Sequence, residues 1–73
     1  MTTAENARLA AVYGAIEKLC GQSALQQALM LDVARESGIW GEQLRDAVKS
    51  LEADGIITTG ESINDTYIKI VEP

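Results

Sequence analysis

A chain of 73 residues that is 47% apolar supports one small domain with a packed core, and the absence of Phe leaves that core to Leu, Ile, Val and Ala. With no His and a single cysteine, Cys20, the chain lacks the residues for an internal disulfide, for most zinc sites and for a Ser-His or Cys-His nucleophile pair. Eleven acids against six bases give a net charge of −5, the opposite of the basic footprint left by nucleic-acid binding; Met1 to Arg8 is polar, no apolar run is long enough to span a membrane, and a soluble cytoplasmic protein is expected.

The first predicted element is a helix over about residues 2–20. Thr2 and Glu5 have capping-box spacing, and Leu9, Val12, Ile16 and Leu19 recur every three or four residues, the period of one helix face. Alanines at 7, 10, 11 and 15 favour the helix, and Gly21 is placed to end it. Tyr13 lies beside the stripe, where a half-buried ring with its hydroxyl in water is expected. Cys20 reads as a small buried apolar residue. Its nearest base in sequence, Lys18, is two positions away and points elsewhere on a helix.

A second helix is predicted over about 23–37. Ser23 and Gln26 repeat the capping-box spacing, and Leu25, Ala28, Leu29 and Val33 form its stripe. Met30 and Leu31 widen that stripe beyond one face, which implies either packing against a sheet or an exposed apolar patch. Asp32 falls among these apolar residues and reads either as the cap of a second helical segment or as a solvent-facing acid. Gly38 ends the helix.

A third helix is predicted over about 41–54, with Leu44, Ala47, Val48 and Leu51 on one side and Gly55 as its stop. A hairpin over about 56–71 follows. Ile57 to Thr59 and Tyr67 to Val71 favour strands, Asn64-Asp65 is the best turn signal, and Gly60 suggests a bulge. The order is α-α-α-β-β in one domain over 1–73.

That order resembles the winged helix-turn-helix family, and the resemblance is sharpest from Val33 to Ile57. Its residues are Val33-Ala34, Gly38-Ile39, Leu44, Val48, Leu51, Gly55 and Ile56-Ile57. The implied fold class is mainly α (α+β): three helices with a C-terminal β-hairpin wing. Ile39 is expected to plug the turn between the second and third helices. The resemblance also implies that the third helix enters a DNA major groove while the wing touches backbone, as in a small transcriptional regulator. Carried onto this chain, the candidate base readers are Gln43 and Arg45, with Lys49 and Lys69 as further contacts. A homodimer would add affinity that one acidic domain lacks.

The residue pattern also departs from that expectation. From Gly38 to Pro73 there are three bases and seven acids, and phosphate contacts supply most non-specific DNA affinity. The outermost positions of the third helix are Glu42, Asp46, Lys49 and Ala53, and Trp40-Gly41 replaces the small polar residues that usually open it. A second expectation therefore stands beside the first: an acidic interaction module that binds a basic protein partner through Ile39, Trp40, Glu42 and Asp46. Trp40 reads either as a cover for the turn or as a partner anchor. Arg45 and Lys49 read either as nucleic-acid contacts or as a solvated face paired with Glu42 and Asp46. No carboxylate pair has catalytic spacing, and no phosphate loop, dinucleotide fingerprint or metal motif is present, so neither an enzyme nor a cofactor is expected.

Overall fold

The structure, a computed structural model, describes residues 3–61 and 65–71. The chain forms α1 (Thr3–Gln22), β1 (Ala28–Leu29), α2 (Met30–Ser37), α3 (Gly41–Ala53), β2 (Ile57–Glu61) and β3 (Thr66–Ile70), a winged-helix-like α+β layout. The period-3.6 stripes of α1 and α3 bury as expected, whereas Leu25 and Leu29 of the stripe expected for the second helix are exposed. Val12 and Ile16 of α1 and Leu44, Ala47, Val48 and Leu51 of α3 are buried, with Leu9, Tyr13 and Leu19 half-buried against them. Ile39 packs on the same core from the turn between α2 and α3.

The region between α1 and α2 differs from the sequence expectation. α1 runs through Gly21 to Gln22, and residues 23–29 are not the first two turns of a helix. Instead Ser23 Oγ accepts the backbone N–H of Leu25 at 3.3 Å, and Gln26 takes a left-handed φ of 55°. Ala28 and Leu29 then pair with Ile68 and Tyr67. The sheet therefore has three antiparallel strands in the order β1-β3-β2, where the sequence suggested a two-stranded hairpin. Ala, Leu and Gln are good helix formers, so local propensity favours the helix. The pairing with β3 overrides it by satisfying that strand's second edge and burying Ala28 opposite Ile68. Leu25, expected in the core stripe, is 70% exposed as a result.

A left-handed glutamine carries a conformational cost of about 1–2 kcal/mol. Gln26→Gly is therefore expected to raise the unfolding free energy by about 0.5–1 kcal/mol, and Gln26→Val to lower it. Urea denaturation followed by circular dichroism checks the sign, and a destabilising glycine would contradict the turn geometry.

α2 starts at Met30 with Asp32 in its first turn, a favourable place for a carboxylate although Leu29, not Asp32, is the N-cap residue. At its end Ser37 Oγ donates to Val33 O at 2.7 Å and accepts from Ile39 N at 3.2 Å, and Gly38 takes φ 74°. Lys18 Nζ of α1 donates to Glu36 Oε1 of α2 at 2.6 Å, the only ion pair among the described residues. The Glu42 and Asp46 pairings proposed for Arg45 and Lys49 are thus not formed within 4.0 Å.

In the wing, Ile57 pairs with Ile70 and Gly60 with Tyr67 in unbroken register, so Gly60 is not a bulge. Its role is a close approach: a Cβ there would run into the Tyr67 ring. The expected Asn64-Asp65 turn and the Thr2–Glu5 cap involve residues outside those described. Among the described residues no helix is long and apolar enough to cross a membrane.

Candidate functional site

The sequence-predicted site residues do not form one patch, and all but the half-buried Ile39 are exposed. Gln43, Arg45 and Lys49 are exposed on α3. Gln43 and Arg45 are two residues apart on a helix and so point to different flanks. Arg45 and Lys49, four apart, lie close together on the exposed surface of α3. Arg45 lines an open groove together with Asp65 and Thr66 at the start of β3, and further along Glu52 Oε2 accepts the Thr59 hydroxyl of β2 at 2.6 Å.

Strand alternation settles where Lys69 lies. Ile68 and Ile57 are buried toward the helices, so Tyr67, Lys69 and Thr58 occupy the opposite, outer side of the sheet. Lys69 Nζ sits 6.0 Å from the Tyr67 ring centroid, at the outer limit of a cation–π contact. The wing thus does not bring its lysine beside Arg45 and Lys49. Acids stand on this side of the wing: Glu52 bonds to Thr59, Asp65 lines a groove with Arg45, and Glu61 pairs with Thr66. A phosphate backbone laid between α3 and the wing would meet these carboxylates as well as the two bases.

The α3 entrance is different in character. Trp40 is the N-cap residue of α3 in an extended conformation and is 54% exposed, so it does not simply cover the turn. Together with Met30, Leu31 and Ala34 of α2, Gly41, Leu44 and Arg45 of α3, and Asp65 and Thr66 at the start of β3, it lines an open groove of about 370 Å³. That volume lies within the roughly 300–1,000 Å³ of small-ligand and side-chain pockets. The two alternatives for Met30-Leu31 divide between the residues. Met30 packs on the core, whereas Leu31 is 45% exposed at the groove rim.

Ile39, the other apolar residue of the proposed partner surface, is half-buried against the core and does not line this groove. Glu42 and Asp46 are exposed, one turn apart on the outward side of α3. Sequence reasoning missed Leu31, Asp65 and Thr66 as neighbours of Trp40. The apolar run Leu29-Met30-Leu31 was the available signal, but the contribution of β3 depends on a strand pairing invisible to periodicity.

Comparison of the chain with protein-family models, with curated proteins and with solved structures finds no match.

Cys20 takes no part in this surface. Its buried thiol donates to Ile68 O at 3.7 Å, tying the end of α1 to the central strand. Burial pushes the thiol above its ordinary range, partly opposed by a backbone hydrogen bond at Ile70. The thiolate is disfavoured there, and with it nucleophilic chemistry at neutral pH. Among the described residues, no group of three or more His, Cys, Asp or Glu is placed to hold a metal ion.

Proposed function

We propose that the chain is a cytoplasmic winged-helix protein-interaction module, which captures a partner side chain in the groove between α2, the start of α3 and β3. The observation that carries this reading is that the half-exposed Trp40 and the exposed Leu31 line one open groove with Met30, Ala34 and Leu44. Large apolar side chains left in water at one concave place cost solubility unless they are covered, and Trp is the residue most enriched among interface hot spots. The acidic balance of α3 and the wing supports a protein target over a polyphosphate one. No catalytic step is part of the proposal.

Truncating the anchor provides the test. Trp40→Ala is expected to weaken capture of the partner by about tenfold or more, with the fold unchanged by circular dichroism because the side chain is half in solvent. Quantitative pull-downs with wild-type and Trp40→Ala baits check it. Equal recovery of every bound protein by the two baits would overturn the reading.

A second reading, a small DNA-binding transcriptional regulator, has one specific observation in its favour. Arg45 and Lys49 are exposed on one flank of α3, the helix that follows the α2–α3 turn. Such a protein would act as a homodimer, because the two bases on that flank supply few phosphate contacts. Fluorescence anisotropy with mixed-sequence duplex at low salt separates the readings. Micromolar binding that is lost in Arg45→Ala and Lys49→Ala would favour DNA.

A further inference from the structure

We propose that the groove takes one kind of occupant: a basic amphipathic segment of a partner protein that inserts an aliphatic side chain between Leu31 and Trp40 and sets its Lys or Arg residues against α3. The inference rests on the interaction reading above and adds the chemistry of the partner. The anchor follows from the walls. Met30, Leu31, Ala34, Trp40 and Leu44 are apolar, and the groove is open along its length, so it accepts a side chain on a continuing backbone.

The basic flanks follow from charge. Glu42, in the first turn of α3, follows Gly41 of the groove lining and Asp46 lies one turn further, both exposed and neither in an ion pair among the described residues. Asp65 adds a third acid on the wall, its Oδ1 accepting the Thr66 backbone N–H at 2.8 Å. Against these stand Arg45 on the wall and Arg35, which lies one turn of α2 beyond Leu31. On the wall Arg45 and Asp65 balance, so the sign that selects the partner comes from Glu42 and Asp46 on the outward side of α3 and from the whole chain, net −5. Long-range steering therefore favours a basic segment and repels an acidic one, and Glu42 and Asp46 are the carboxylates that pair with it.

Because Trp40 is the only tryptophan, it reports directly on the groove. The probes are two synthetic 14-residue helical peptides of identical leucine pattern, one with lysine and one with glutamate at every polar position, each fluorescein-labelled for anisotropy. The expected result is binding of the leucine–lysine peptide at least about tenfold tighter than the leucine–glutamate peptide, with a shift in Trp40 emission. Leu31→Gln and Trp40→Ala each weaken it about tenfold or more, and the double variant Glu42→Lys/Asp46→Lys reverses the preference. All four substituted positions are exposed, so the variants retain the fold, and circular dichroism confirms it.

Three results would overturn the proposal. Binding of the leucine–glutamate peptide through Leu31 and Trp40 would remove the basic partner and leave the interaction reading standing. Leucine–lysine binding indifferent to Leu31→Gln and Trp40→Ala would be diffuse charge attraction outside the groove. Silence of both peptides, with micromolar affinity for duplex DNA, would remove the interaction reading as well.

Discussion

Ile68→Ala is expected to lower the unfolding free energy by about 3–5 kcal/mol, the upper range for truncating a fully buried isoleucine. Ile68 is 0% exposed at the middle of β3, with Ala28 of β1 on one side and Thr59 of β2 on the other. Its backbone carbonyl also receives the Cys20 thiol, so the residue joins α1 to all three strands. Collapse around the missing atoms is hindered there, because β3 is held by ladder bonds on both edges and cannot shift inward alone. A domain of 73 residues has roughly 4–11 kcal/mol in total at typical values per residue, so this one truncation removes a large share of it. Urea denaturation by circular dichroism measures the change. The neighbouring Lys69→Ala, on the outer side of the sheet, is the control and should change stability by less than about 0.5 kcal/mol. A loss below about 1 kcal/mol for Ile68→Ala would mean that β3 is not the hub of the core.

The same strand marks the boundary of what the sequence could disclose. α1 and α3 were legible because their apolar residues recur at helical spacing over three or more turns, and the structure buries Val12, Ile16, Leu44, Val48 and Leu51 accordingly. The wing was legible from its β-branched runs. β1 was not, because Ala28 and Leu29 are only two residues long as a strand and both are strong helix formers. What makes them a strand is β3, some forty positions away, and no local rule reports that.

The candidate site divides along the same line. Trp40 stood out in sequence as the only tryptophan at the mouth of a helix. Its exposure and its sharing of one groove with Leu31 are tertiary facts, set by how α2, which begins at Met30, packs beside the start of α3. Lys69 shows the reverse case. Its place in the wing was readable, but its direction is fixed by which of two adjacent residues β3 buries, and Ile68 takes the inner position.

Gly55→Val is expected to cost about 2–3 kcal/mol, although a Cβ at Gly55 would meet no atom within 4 Å. The cost is conformational alone. Gly55 takes φ 75°, a region that a β-branched residue enters only under strain. That conformation permits a paired closure of α3: Gly55 N–H donates to Glu52 O at 3.0 Å and Ile56 N–H to Leu51 O at 3.0 Å, the pattern of a Schellman motif. The closure sets the point at which the wing begins. Val71 N–H then donates to Ile56 O at 2.9 Å, and the pairs from Ile57↔Ile70 to Glu61↔Thr66 follow in step. If Gly55 were forced out of the left-handed region, Ile56 would lose its bond to Leu51, and the first wing pair would shift with it. A one-residue slip would carry Ile57 from the core to the outer face. Gly55→Asn, whose side chain tolerates positive φ, should cost less than about 1 kcal/mol, and Gly55→Ala should fall between the two. The ranking Gly, Asn, Ala, Val in midpoint of urea unfolding is therefore the expected order. Equal loss for Asn and Val would indicate crowding rather than backbone strain, and would place a neighbour against Gly55 where the structure has open space. Because Thr66 at the start of β3 also lines the groove with Trp40, the Gly55 variants carry a functional corollary. Those that keep the register should bind the leucine–lysine peptide as the unsubstituted chain does, and Gly55→Val should lose affinity in proportion to the population whose wing has slipped.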